Sequence, residues 1–203
     1  MSPRAVIVLL AAGLSRRFGP EDKLSSDLGG RPLAQHAAAV VRSTGYPVVL
    51  VHGDGQAWLA DDLGGDVLLV HNPAPEAGMG RSIRLGVQAA IALEPASVVI
   101  TLADMPFVPQ ALLEALIAAV VGDGHDAAHA GPAGRVRPPT AFGPGCFAAL
   151  AALSGENGAR SVLEGAGSSV RALDWAADDL ADIDTPEALK SAHARLPDER
   201  SSE

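Results

Sequence analysis

The segment AVIVLLAAGLSRRFGPEDKL, residues 5–24, decides how this chain is read. A short apolar run, AVIVLL at 5–10, gives way to the small residues Ala11, Ala12 and Gly13, and then to three cations, Arg16, Arg17 and Lys23. A β-branched and leucine run of that length, ended by a glycine turn, predicts a buried strand. In open α/β sheets ligands gather outside the carboxyl ends of the strands. Small residues there let a flat base or a phosphate approach the backbone N–H groups, and Arg17 and Lys23 carry the charge that a polyphosphate needs. Taken alone the loop reads as well as a generic basic bend, because neither the dinucleotide G-x-G-x-x-G nor the P-loop G-x-x-x-x-G-K-[ST] is present.

The pattern outward from this loop sets the fold class. PVVLVH (47–52), DVLLVH (66–71) and SVVITL (97–102) are continuous apolar runs, as expected of strands covered on both faces of a parallel sheet. Helical patterns lie between them at 33–43, 55–63 and 81–93, the last with Ile83, Val87, Ala90 and Ile91 on one face. Pro109 opens a further helix at 110–121, proline being tolerated in a first turn. This alternation predicts an α/β, Rossmann-like three-layer sandwich with a mostly parallel, doubly wound sheet and right-handed crossovers. Beyond residue 122 we expect a strand near 126–130, a strand end and two short helices within 141–167, and a strand in SVRALDW (169–175). A final helix follows, with Thr185 as N-cap and Pro186 in first position. We expect one domain over 1–195 and a frayed tail at 196–203.

Composition narrows the function classes. The 203 residues are 48% hydrophobic but only 3% aromatic, so the core is aliphatic. A net charge of −9 argues against a nucleic-acid binder or an anionic-membrane binder. Cys146 is the only cysteine and reads as a packing residue, which leaves no intramolecular disulfide and no cysteine zinc cluster. No segment reaches the roughly 20 apolar residues of a transmembrane helix, and the apolar N-terminal run reads as a strand rather than a signal peptide, so a cytoplasmic location is expected.

Three further stretches could carry chemistry. In TLADMPFV (101–108), Asp104 falls where a strand ends, facing the same crevice as the first loop. Mg²⁺ is usually held by one or two carboxylates plus substrate phosphates, which makes Asp104 a candidate ligand; a helix-entry turn is the alternative. DIDT supplies Asp184, with Asp182 two residues earlier, although helix capping explains it equally. In NPAPEAGMGRSIRLG (72–86), Ser82 lies early in a helix, where free N–H groups favour anionic or polar ligand groups, or it is an ordinary capping residue. His125 and His129 lie in a Gly/Ala stretch and do not read as a zinc pair, no G-x-S-x-G nucleophile elbow is present, and Trp58 and Trp175 read as packing residues.

The order of these stretches along one chain resembles a known family. LAAGLSRRFGPEDKL is similar to the LAAGxSxRFGxxKL signature of the molybdopterin-type nucleotidyltransferases. NPAPEAGMGRSIRLGV resembles that family's Asn-Pro…Gly-Met-x-x-Ser-x-x-x-Gly segment, LADMPFV its metal-binding aspartate turn, GENGARSVL its GD-x-GAR-x-L stretch, and DIDTPEAL its D-x-DTPEDL end. The resemblance runs from about residue 5 to 190 and implies a nucleotide-diphospho-sugar transferase type of fold. It implies catalytic roles for Arg17, Lys23 and Asp104, and Mg²⁺ held by Asp104 and Asp184. Nucleotide contacts would come from Leu10, Ala11, Ala12, Gly13, Ser15, Arg17, Lys23, Asn72 and Ser82. LAAG rather than LAGG in the first loop resembles the cytidylyltransferase branch, which implies CTP and a molybdopterin-type acceptor, with transient contact to a molybdoenzyme or its maturation chaperone. The alternatives are a relative using GTP or a different phosphorylated acceptor, and a non-catalytic nucleotide- or cofactor-binding maturation protein. The sequence departs from the family at Arg137-Pro138-Pro139, where Gly-His-Pro is usual, at Glu156 in place of aspartate, and at Ala188 in place of aspartate.

Overall fold

Strand β1 (Val6–Ala11) is buried along its whole length, because strands flank both of its edges and helices cover both of its faces. The computed structural model describes residues 4–15, 17–18, 22–65, 67–131, 136–156, 158–166 and 169–196. Arg16, Asn157 and residues 197–203 of the expected tail lie outside the described residues. β1 pairs in parallel with β2 (Val48–His52) on one side and β4 (Val98–Leu102) on the other, and β3 (Val67–His71) extends the sheet in parallel beyond β2. Past β4 one strand runs the opposite way. β6 (Arg137–Phe142) is antiparallel to both β4 and β5 (Ala127–Ala130), and β7 (Val170–Leu173) then runs parallel to β5. The seven-stranded order is β3-β2-β1-β4-β6-β5-β7, the mostly parallel three-layer arrangement expected from the sequence.

Strand periodicity divides the core into two layers. Ile7, Leu9 and Ala11 face one side with α1 (Leu33–Ser43), α2 (Leu59–Leu63) and α4 (Gln110–Ile117). Val6, Val8 and Leu10 face the other with α3 (Met79–Ile91), α5 (Pro144–Ala151) and α6 (Arg160–Ala166). On α3 the apolar stripe Ile83, Val87 and Ala90 is buried against the sheet. Gly86 sets how closely that helix approaches: a Cβ there would lie 2.5 Å from Val8 Cγ1 and 2.7 Å from Val51 Cγ2. A third, small cluster of Phe18, Leu28, Leu33, Ile183 and Ala192 docks α7 (Pro186–His193) against the segment that follows β1.

Some expectations give way. Against the expectation of cover on both faces at 66–71, β3 is the edge strand and exposes Leu68 and Leu69, which point to opposite faces, because neither helical layer extends fully over this edge of the sheet. Pro109 is extended and precedes α4 rather than occupying its first turn. Cys146 is buried, and Trp58 and Trp175 pack against the α1/α4 layer. Among the described residues no helix is long and apolar enough to cross a membrane.

Gly86→Val tests the close approach. Overpacking of this kind costs about 1–3 kcal/mol, so the variant should unfold at lower urea concentration with an unchanged slope.

Candidate active site

The site forms where β1 and β4 end side by side, tied by the Ala103 N–H donating to the Leu10 carbonyl at 3.0 Å. Beyond β1 the chain turns at Ser15, whose φ of 48° and carbonyl bond from Phe18 N–H (2.8 Å) close the loop. Asp22 then caps a short 3₁₀ turn, its Oδ1 accepting from Leu24 N–H at 3.2 Å. That turn points Lys23 inward, where it is only 5% exposed. Lys23 Nζ donates to Asp104 Oδ2 at 2.5 Å and to Asp184 Oδ1 at 2.7 Å.

Asp104 and Asp184 are 80 residues apart in sequence, and backbone geometry joins them. The Ile183 N–H donates to the Asp104 carbonyl at 2.9 Å, which pins the C-terminal segment onto the turn after β4. Thr185 Oγ1 accepts from Ala188 N–H at 3.1 Å, the expected N-cap, so Asp184 is held just outside a fixed helix end. Arg17 Nη2 donates to Asp184 Oδ2 at 2.5 Å. Asp104 Oδ1 is buried with no hydrogen-bond partner among the described residues.

Two cations and two carboxylates thus form a formally neutral cluster with unequal proton affinities. Burial pushes the Asp104 carboxyl above the usual carboxylate range, with help from the Asp184 and Asp182 charges and against the pull of Lys23. Burial also pushes on Asp184, but hydrogen bonding and charge from Lys23, together with Arg17, hold it below that range. For Lys23 the desolvation that would lower its pKa is outweighed by Asp104 and Asp184, which raise it.

The opposite wall comes from residues 72–86. Asn72 is fully buried: its Nδ2 donates to Ser82 Oγ at 2.9 Å, while its Oδ1 accepts from Ala74 N–H and Arg81 Nε. Gly78, at φ 96°, begins α3 hard against the segment after α5, where a side chain would run into the Gly155 carbonyl. Gly80 N–H donates to that carbonyl at 3.0 Å, which brings Glu156 into the wall.

The enclosed cleft has a volume of about 400 Å³, within the range of small-molecule sites. It gathers Leu10, Ala11, Ala12, Gly13, Ser15, Arg17, Lys23, Ser82, Asp104 and Asp184, all singled out in the sequence. Asn72 stands behind the wall and orients Ser82 rather than facing the cleft. Arg137 is exposed at the start of β6, outside the cleft wall. Glu76 and Met79 line the cleft and were not singled out; their place in the stretch 72–86 was the available signal. Among the described residues no three His, Cys, Asp or Glu side chains converge as a metal set. The free, buried Asp104 Oδ1 and the neighbouring Asp184 carboxylate are hard oxygen donors that fit Mg²⁺ or Mn²⁺, provided that a substrate supplies the remaining ligands.

The MobA-like NTP transferase domain family matches this chain over residues 7–172. The purine catabolism protein PucB of Bacillus subtilis is 32% identical over 202 residues, spanning 92% of this chain and 94% of the relative. Among solved structures, a mycobacterial (strain JC1) homologue of Mycobacterium tuberculosis Rv0371c superposes with a TM-score of 0.78 at 25% identity, covering 96% of this chain and 97% of its own. Rv0371c from M. tuberculosis H37Rv, solved in complex with manganese, shares the fold with a TM-score of 0.72 at 22% identity, covering 95% of this chain and 100% of its own.

Two outcomes are expected. A carboxylate held below its unfolded pKa, near 4, adds stability above that pH that is lost as pH falls through its folded value; one held above it loses stability as pH rises through its folded value. Relative to Asp184→Asn, the wild-type chain should therefore gain stability in urea as pH rises from acid to neutral. Relative to Asp104→Asn it should lose stability over the same change, and parallel trends would overturn the assignment. A Cβ at Gly13 meets nothing within 4 Å. Gly13→Val should then keep the wild-type melting temperature while weakening nucleotide binding, measured by calorimetry, by about tenfold or more, the equivalent of about 1.4 kcal/mol.

Proposed function

The chain belongs to the MobA-like NTP transferase domain family, and on that premise we propose that it transfers CMP from CTP to the terminal phosphate of a molybdopterin-type cofactor, releasing pyrophosphate. Nucleotidyl transfer is the family's chemistry; the nucleotide, acceptor and metal are our reading. The observation that carries it is Lys23, buried between Asp104 and Asp184 at the end of a loop of small residues. Burying a cation and two carboxylates is costly unless they are paired, and a site that does so at the mouth of a cleft suits a polyphosphate better than it suits packing.

In this reading an acceptor phosphate oxygen attacks the α-phosphorus in line, the bond from the α-phosphorus to the bridging oxygen breaks, and pyrophosphate leaves with that electron pair. Lys23 and Arg17 neutralise charge on the β- and γ-phosphates, so catalysis is positioning plus electrostatic stabilisation. Asp104 and Asp184 would hold Mg²⁺, which supplies further charge neutralisation at the phosphates when bound; a relative of this fold has been solved with manganese. The backbone of residues 11–13 lies along the base and phosphates, and Ser82, aimed by Asn72, contacts base or ribose. LAAG in the first loop, which resembles the cytidylyltransferase branch, supports CTP as the nucleotide. Arg137-Pro138-Pro139 in place of Gly-His-Pro favours a second reading, the same transfer with GTP or with another phosphorylated acceptor.

The test is pyrophosphate release from CTP, GTP, ATP and UTP with Mg²⁺, with and without molybdenum-loaded molybdopterin. Release with CTP that requires the pterin is expected; release with GTP, or only with another phosphorylated acceptor, moves the assignment to the second reading. Lys23→Ala should lower kcat/KM by about a hundredfold or more, since removing one preorganised donor costs roughly 2.7–4 kcal/mol. An unchanged value would remove Lys23 from the mechanism.

A further inference from the structure

The four carboxylate oxygens of the cluster are unequally engaged. Asp104 Oδ2 and Asp184 Oδ1 both accept from Lys23, Asp184 Oδ2 accepts from Arg17, and Asp104 Oδ1 has no partner. The two cations also differ in setting. The Lys23 side chain is 7% exposed and held by two carboxylates, whereas the Arg17 side chain is 73% exposed and held by one. An exposed ion pair is weak and easily exchanged, while a buried one is not.

We infer that Arg17, besides its place on the phosphates, controls Asp184: it withholds that carboxylate from a divalent cation until a triphosphate draws the guanidinium away. This rests on the metal reading proposed above. Asp104 Oδ1 is buried and has no hydrogen-bond partner among the described residues, so it is the one carboxylate oxygen of the cluster that neither cation engages. A guanidinium pairs with phosphate as readily as with carboxylate. When the nucleotide's phosphates take Arg17, Asp184 Oδ2 is released and the site gains its second protein ligand. Lys23 keeps the two carboxylates in place throughout, because its bonds use the other oxygen of each. Nucleotide and metal are coupled by this exchange, and by linkage each strengthens the binding of the other.

The experiment is Mn²⁺ binding to the full chain without nucleotide, read by the electron paramagnetic resonance signal of free Mn²⁺. Arg17→Gln should tighten Mn²⁺ binding about fivefold, the factor that about 1 kcal/mol of competing exposed ion pair represents. The same change in an Asp184→Asn background should give no tightening, and Arg17→Lys should restore binding toward wild type. No tightening in the single variant overturns the inference. Equal tightening in both backgrounds does so as well, because it reports general charge removal rather than release of Asp184. Asp104→Asn separates this failure from that of the underlying reading: Mn²⁺ binding insensitive to Asp104→Asn would remove the metal assignment itself, and the inference with it.

Discussion

The buried ammonium of Lys23, shared between Asp104 and Asp184, is the constraint on which the site depends. Carboxylates this close repel, and burial already raises the proton affinity of Asp104. A single cation between them removes the repulsion and fixes their separation. Removing one partner of a buried pair typically costs about 3–5 kcal/mol because the other charge is left uncompensated. The same interaction therefore supports both the local fold and the proposed chemistry.

The rest of the architecture brings those three side chains to one point. β1 and β4 are neighbours in a parallel sheet, so the loop carrying Lys23 and the turn carrying Asp104 emerge at the same edge. Asp184 arrives from the far end of the chain because Ile183 bonds the Asp104 carbonyl and a small apolar cluster holds α7 against Phe18, Leu28 and Leu33. On the other wall a buried asparagine aims Ser82, and contact between Gly78 and Gly155 sets the width of the cleft. The cations and the polar wall face each other across a space of about 400 Å³, enough for a nucleotide laid along the loop.

Much of this was legible in the sequence. The apolar runs marked β1, β2, β3 and β4, the Thr185–Pro186 pair marked the last helix, and α1 falls at 33–43 as its pattern indicated. Local signals sufficed there because apolar runs, capping and helix periodicity are patterns of near neighbours in the chain. The exposure of β3 was not legible, since a covered strand and an edge strand with exposed leucines have the same composition. Nor was it legible that the Asn72 amide bonds Ser82 from beneath the wall, since residue type and position in a motif do not fix where an amide turns.

By itself the sequence determined the α/β alternation, the family, and the residue types a nucleotide site requires, because these are written in spacing and chemistry along the chain. Only the tertiary structure decided which oxygens are engaged, that Lys23 is shared and Arg17 is exposed, and that Asp104 keeps one free oxygen. Those properties arise from contacts across 81 to 167 residues of separation, as between Lys23 and Asp104 or between Arg17 and Asp184. Their energies depend on burial and distance, which no local pattern encodes.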